Sequence, residues 1–388
     1  MPDQQEYLRR VAEIAETVRA EAAQADRDRH LGDKTVAALQ ETGLLRMLLP
    51  ARYGGGELTL GDSFAVCEAL ARVDGSAGWN LNIGVSLLSN AVALADLETR
   101  DEILGDPDTI VAGTINFMNT KVRRVTGGFV FDGNATFMSG SWHATWLVIG
   151  GWLVEDGQPA FGDDSLPVIV RGLVPIDAVT LIDGWRVSGM RATASNDAPL
   201  DALFVPDRYI CTPGDSGLAS NDPAAVLPML SRFGGGLAFV AIGTARGALD
   251  ALISVASHKV VAGGSAPLRE RADVQVDAGR ARALIEAGSA FVSKAWGAAE
   301  DKVRAGQPVD LEDQTMLRLS YVLAAEHAAA AADLVCRAGG SSSLFESQGI
   351  ERFWRDANAV TKHAAVSARF YERIGGIILG LPPASGMI

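Results

Sequence analysis

Helical periodicity fills both ends of this chain and fails for roughly a hundred residues between them. Near the start, Leu8, Val11, Ala12, Ile14, Ala15, Val18 and Ala22 recur at three- and four-residue intervals, which lays one apolar stripe along a long helix. A second helical pattern, Lys34 to Leu49, stops at Pro50, and the turn Tyr53-Gly54-Gly55-Gly56 lies behind it. Leu60 to Val73 and Ala77 to Leu94 predict two more helices. Between Thr109 and Pro213 the pattern changes to short β-rich runs, among them Arg123 to Val125, Gly128 to Gly133, Trp146 to Val154 and Leu166 to Val174. Gly, Asp, Asn and Pro separate them at the intervals of antiparallel strands joined by turns, which suits a barrel or sandwich. Beyond a link from Thr212 to Pro223, the segments Phe239 to Ala256, Arg269 to Ala305, Asp310 to Ala338 and Gly349 to Leu379 supply four helices, enough for a bundle. The expected class is therefore α+β: an N-terminal α-helical domain over 1–108, a central antiparallel β domain over 109–215 and a C-terminal helical bundle over 216–388.

Charge and cysteine usage remove several function classes. The net charge is −13, whereas phosphate-backbone binding needs a basic face, so a nucleic-acid partner is not expected. Cys67, Cys211 and Cys336 are far apart and odd in number, which suits reduced thiols and a cytoplasmic protein. The start, Met1-Pro2-Asp3-Gln4-Gln5-Glu6, lacks the basic and apolar regions of a signal peptide, and no apolar run reaches the ~20 residues that cross a bilayer. The histidines at 30, 143, 258, 327 and 363 have no metal-ligand spacing. There is no Gly-x-Ser-x-Gly elbow, phosphate-cradling Walker loop or dinucleotide-binding Gly-x-Gly-x-x-Gly, so direct NAD(P)H binding is not expected.

Five segments carry the remaining signal. Ala71-Arg72-Val73-Asp74-Gly75-Ser76-Ala77-Gly78-Trp79 opens a helix, where Ser76 could equally be its cap and Trp79 core. Gly133-Asn134-Ala135-Thr136-Phe137-Met138-Ser139-Gly140-Ser141-Trp142-His143-Ala144-Thr145-Trp146 joins two strands, and ordinary turn chemistry would also explain its Ser-Gly pair. Gly184-Trp185-Arg186-Val187-Ser188-Gly189-Met190-Arg191-Ala192-Thr193-Ala194-Ser195-Asn196-Asp197 is dense in small polar residues that suit a tight connection. Gly339-Gly340-Ser341 could bring backbone close to a phosphate or simply end a helix at Ala338. The last segment is Glu351-Arg352-Phe353-Trp354-Arg355-Asp356-Ala357-Asn358-Ala359-Val360-Thr361-Lys362-His363.

Together these segments resemble the acyl-CoA dehydrogenase superfamily across nearly the whole chain. Its dehydrogenases often follow Arg-Asp, about seven residues on, with an aromatic, a Glu and a Gly, the Glu removing the substrate's α-proton. Here those positions read His363, Ala364 and Ala365, so the base is missing and dehydrogenation has no acceptor within reach. The histidine and the Ser139-Gly140 to His143 pattern resemble instead the branch of flavin-dependent two-component monooxygenases.

That resemblance implies an oxygenase component that takes reduced FMN or FAD (FMNH2 or FADH2) from a separate NAD(P)H:flavin reductase. It would react the flavin with O2 to a C4a-hydroperoxyflavin and hydroxylate a small phenolic or indole-like substrate, as a homotetramer assembled through the bundle. It assigns His363 and Ser139 to catalysis, with Ser139 facing flavin N5 and C4a. Trp79, Met138, Gly140, Met190, Thr193 and Ser195 would line the cofactor, and Gly339, Gly340 and Ser341 would approach its phosphate end. Ser76, Trp142 and His143 would meet the substrate. His363 would act as a base titrating between about 5.5 and 7.5, given imidazole's ordinary value, or would hydrogen-bond the peroxide.

One departure loosens the cofactor expectation. Where dehydrogenases place an Arg and Phe-Gly for the FAD pyrophosphate, this chain reads His258-Lys259-Val260-Val261-Ala262-Gly263-Gly264, which favours an exchangeable flavin. N- or S-oxygenation, a dehydrogenase with another base, and a non-catalytic scaffold member remain as alternatives.

Overall fold

The computed structural model describes residues 3–94, 96–162, 166–212, 215, 217–218, 222–260 and 266–382. Asp3 caps the first helix, α1 (Gln4–Asp28), by accepting from Glu6 N–H. The apolar stripe Tyr7, Val11, Ile14, Ala15, Val18, Ala22 and Ala25 is buried. The second helix, α2 (Asp33–Glu41), ends eight residues before Leu49, because Gly43 turns the chain at φ 68° into a 3-10 turn over Leu44–Arg46. α3 (Leu60–Val73), α4 (Gly75–Val92) and α5 (Leu97–Gly105) complete this part, and α5 is a helix the periodicity did not reveal. α4 is buried almost all round, so it runs through the protein's middle, in contact with both the sheet and the later helices.

Among the described residues seven strands follow: β1 (Val111–Gly113), β2 (Thr120–Val125), β3 (Gly128–Met138), β4 (Trp146–Glu155), β5 (Gln158–Pro159), β6 (Ile169–Pro175) and β7 (Asn196–Pro206). The path is β1-β4-β2-β3-β7, with β5 and β6 also paired to β4. The sheet is mixed where the turn pattern predicts antiparallel strands: β1 and β2 both pair with β4 in parallel, and the β2–β3, β3–β7 and β4–β6 pairs are antiparallel. Spacing of turn residues reports neighbours joined by hairpins, not strands that return by a longer connection. One part of the sheet's core, including Val122, Phe131, Met138, Leu147 and Leu200, closes on itself, whereas Val111, Val148 and Leu173 pack with the helices.

α6 (Met229–His258), α7 (Ala272–Arg304) and α8 (Leu311–Gly339) are long, and contacts among all three hold them together. By length and composition, two apolar helical stretches, Met229–His258 and Leu311–Leu344, could cross a membrane, but 72% and 56% of their most apolar windows are buried inside this protein, as in core helices. The expected helix from Gly349 to Leu379 is broken into α9 (Ile350–Val360), a 3-10 turn over Ala364–Val366, and α10 (Phe370–Ile378). Ala364 and Ala365 are good helix formers, but tertiary contacts override them: His363 is extended at ψ 139° and its ring caps the turn, while Arg318 Nη1 donates to Ala365 O at 2.7 Å.

Candidate active site

Four segments far apart in sequence meet at one buried corner. Trp79 lies in the second turn of α4, Ser139 just beyond β3, Thr193 and Ser195 in the loop before β7, and His363 just after α9. Trp79 Nε1 donates to Ser139 Oγ at 3.0 Å. Ser139 Oγ and Ser195 Oγ are 2.8 Å apart, as are Ser195 Oγ and Thr193 Oγ1, and Thr193 Oγ1 lies 2.8 Å from Met190 O.

A carbonyl can only accept, so this chain has one direction. Thr193 donates to Met190 O, Ser195 donates to Thr193, and Ser139 donates to Ser195 while accepting from Trp79. Ser139 therefore offers any further partner a lone pair and no proton. Ser139 is also buried, at 6% exposure, so the turn hydroxyl expected from sequence is an interior one whose removal strands two neighbours.

His363 meets the other side of Trp79, edge-to-face with ring centroids 5.6 Å apart. Its Nδ1 accepts from Ala365 N–H at 3.1 Å. Burial, and then the Arg318 cation behind the turn, push its pKa down to about 4. At neutral pH the ring is uncharged, and because Nδ1 is an acceptor its one proton sits on Nε2. This corrects two expectations: His363 is not on a helix, and it does not titrate between 5.5 and 7.5. Its remaining nitrogen, Nε2, carries a proton that it can donate.

The Arg-Asp motif supports this corner from behind. Asp356 Oδ1 accepts Met190 N–H at 2.5 Å and so fixes Met190 at φ 53°, a backbone region a side chain rarely adopts. Arg355 donates to Ser188 O and pairs with Asp26 and Glu351. Asp74 caps α4 through Ala77 N–H and faces Arg352 at 3.3 Å. Burial, and then the neighbouring Asp74 carboxylate, push Asp356 up to about 7. Asn80 was invisible to motif reading: its Nδ2 donates to Ala192 O, while Oδ1 is buried with no partner and faces the Cβ-less edge of Gly140. Only its position one residue after Trp79 could have suggested it.

The remaining candidate residues fall outside the hydroxyl chain. Ser76 is not the cap of α4; its hydroxyl faces Met190 Sδ at 4.0 Å. Gly140 turns at φ 80° and donates its N–H to Thr193 O, which holds Ser139 in place. The side chain of Met138 is fully buried in the sheet's own core, leaving only its backbone to meet a cofactor. Trp142 is 52% exposed and stacks on His30 with centroids 4.6 Å apart. His143 Nε2 donates to Leu31 O at 2.8 Å, and burial holds its pKa below the usual imidazole value. Neither Trp142 nor His143 joins the Trp79–His363 contact. Gly339, Gly340 and Ser341 lie where α8 passes into a 3-10 turn packed on α8 and α9, and Lys259 Nζ donates to Gly339 O at 2.9 Å. Residues 261 to 264 of the departure noted above lie outside the described residues.

A directional row of hydroxyls thus stands beside a neutral imidazole, with Ala364 where the resemblance places the dehydrogenase Glu. The sequence matches the family described as Acyl-CoA dehydrogenase, N-terminal domain over residues 1–105, and Acyl-CoA dehydrogenase, C-terminal domain over residues 235–368. It is 30% identical to an indole-3-acetate monooxygenase of Pseudomonas putida, over 95% of this chain and 92% of that one. It is also 30% identical to the flavin-dependent monooxygenase oxygenase subunit HsaA of Mycobacterium tuberculosis, over 100% and 98%. The structure of the 3-HSA hydroxylase from Rhodococcus sp. RHA1 superposes with a TM-score of 0.88 at 26% identity, covering 99% of both chains. The chain belongs to the acyl-CoA dehydrogenase family, and within it to the branch of flavin-dependent monooxygenases.

Proposed function

We propose that this chain is the oxygenase component of a two-component system, hydroxylating a small phenolic or indole-like ring with O2 and a reduced flavin made by a separate NAD(P)H:flavin reductase. The relatives' names support the division of labour, since the similar proteins include an oxygenase subunit and an oxygenase component. The observation that carries the reading is the direction of the hydroxyl chain. N5 of a reduced flavin bears a hydrogen and can donate, whereas N5 of an oxidised flavin can only accept. Ser139, with its proton committed to Ser195, complements the first and not the second.

When bound, reduced flavin supplies the two electrons with which O2 is split between a hydroxyl on the ring and water. The chain's own residues do the rest. Trp79, Ser195 and Thr193 orient the Ser139 lone pair, and Met190, Thr193 and Ser195 form the wall behind it. His363 Nε2–H donates to an oxygen of substrate or oxidant, and burial of the corner keeps water from acting as a competing proton donor. Gly339, Gly340 and Ser341 are assigned to the flavin's phosphate end in a neighbouring subunit of a homotetramer.

Anaerobic titration with oxidised and dithionite-reduced FMN and FAD tests this. The expected result is tighter binding of the reduced form and, on adding O2, hydroxylation of a phenol or indole without a thioester requirement. Tight oxidised FAD bleached by an acyl-CoA would overturn it.

A further inference from the structure

We propose that the substrate is an aromatic acid, and that Arg171 and Arg232 form the site for its carboxylate; this rests on the monooxygenase reading. The two arginines line the same half-open cleft, between α4, α6 and the sheet. The rest of its wall is mostly apolar, with Leu60, Leu87, Ile115, Phe117, Val148 and Phe233. Such a lining takes an aromatic ring and disfavours the polyhydroxyl chain of a flavin.

Neither arginine forms an ion pair with an acid among the described residues. Arg171 donates to Asn90 Oδ1 at 2.5 Å and to Asp215 O at 2.7 Å, both neutral oxygens. No hydrogen bond or ion pair of the Arg232 guanidinium is found among the described residues. The nearby carboxylates are committed elsewhere: Asp222 accepts Leu60 N–H and Ala224 N–H, and Asp215 accepts Gly217 N–H. Burial, and then the adjacent Arg171 cation, lower Arg232 to about 10, so it stays charged at neutral pH. Two like cations facing one another in a partly dry cleft are unfavourable until an anion joins them. Asp222 and Asp215 partly offset that repulsion at Arg232, but neither forms an ion pair with it among the described residues.

Two independent paths set the distance from this cation pair's cleft to the hydroxyl chain. Along α4, Trp79 and the cleft residues Ser86 and Asn90 share a face, and seven residues at 1.5 Å each place Ser86 about 10 Å from Trp79. Across the sheet, Ser139 bridges to Gly113, and Gly113 pairs with the cleft residue Val148, two strand spacings or about 10 Å. A ring with a one- or two-carbon acid side chain spans that length.

The test uses the full-length protein with reduced FMN under anaerobic conditions, titrated calorimetrically with matched pairs: 4-hydroxyphenylacetate and its amide, indole-3-acetate and its amide. At least one acid is expected to bind roughly 10- to 100-fold tighter than its amide, the range of a charge-assisted hydrogen bond. Arg232→Met should abolish that preference, Arg171→Met should reduce it, and Arg232→Lys should keep part of it. Equal binding of acid and amide by the parent, or no binding of any acid, overturns the proposal, as does a loss of FMN relative to riboflavin affinity in the variants. That last result would give the guanidiniums to the flavin phosphate. Failure to bind reduced flavin in the same titration would sink the monooxygenase reading instead, so the two failures are distinct.

Discussion

His363 and His143 are both neutral imidazoles held below their ordinary pKa by burial, yet they sit in opposite circumstances. His143 spends Nε2–H on the Leu31 carbonyl, where His30 Nδ1 donates too, and its neighbours His30 and Trp142 face outward. His363 spends its acceptor nitrogen on Ala365 N–H and keeps its donor, beside Trp79 and the Ser139 chain. Burial alone therefore does not distinguish the two histidines; which nitrogen the backbone has already taken does. The largest expected effect breaks the pair apart. His363→Ala should lower product formation by about 10²–10⁴-fold, with reduced-flavin binding intact and the oxygen consumed released as H2O2. If His363 donates, His363→Asn, whose amide N–H can also donate, should recover part of that loss, and no rate limb assignable to His363 should appear between about pH 5.5 and 7.5. An Asn variant as poor as Ala, with a limb near neutrality in the parent, would restore the general-base role.

Ser139→Ala sharpens the same contrast from the other side of Trp79. It strands the buried Trp79 N–H and removes the donor to Ser195, so unfolding stability should drop by ~1–3 kcal/mol. The more telling readout is the ratio of affinities for reduced and oxidised flavin, which should fall by about tenfold as the one oriented lone pair is lost. Ser195→Ala should lower the ratio less, because it frees the Ser139 proton without removing the oxygen. An unchanged ratio in both variants would mean that the hydroxyl chain serves packing alone.

Much of this corner could be named from sequence, and little of its working could. Trp79, Ser139, Thr193, Ser195 and His363 stood out as motif residues, and the helical ends and β centre followed from period and turn chemistry. Those signals are local, so they survived. Direction was lost, because the proton order of the chain depends on Met190 O, whose position is fixed by Asp356 from 166 residues away. The break after α9 was lost for the same reason: Ala364-Ala365 reads as helix until Arg318, on α8, takes the Ala365 carbonyl. Arg171 and Arg232 carry no motif at all, and only the shared cleft brings them together.

Asp356 offers a third, smaller test, since it pairs with a second buried acid, Asp74, behind the His363 side of the comparison. Its ordinary pKa of 3.8 is raised to about 7 in the fold. Between those values the native state holds a proton that the unfolded chain has lost, so this group's contribution to stability declines as pH rises and levels off above about 7. Asp356→Asn carries no such proton, and its amide oxygen can still accept from Met190 N–H. Denaturant unfolding of both proteins should show the variant gaining on the parent by on the order of 1–2 kcal/mol from about pH 5 to about pH 8. A constant difference across that range would place the charge elsewhere in the Asp74–Arg352–Asp356 cluster.

The smallest effect is expected at His143, and it is the one that holds the comparison together. His143→Ala removes one of two donors to the Leu31 carbonyl and a ring beside His30, while His30 Nδ1 remains to satisfy that oxygen. The cost should be ~1 kcal/mol of unfolding stability, the net worth of a neutral hydrogen bond. Product formation and H2O2 release should stay at parental levels, because the His143 ring itself touches neither Trp79 nor the hydroxyls, and its link to them runs only through the His30 backbone, which bridges Thr193 with or without the ring. The carbonyl belongs to Leu31, in the link between α1 and α2, so the variant also reports whether that link matters to the corner. A variant that melts like the parent but loses product would mean that the His143 ring acts on the substrate after all, and the division between the two histidines would fail.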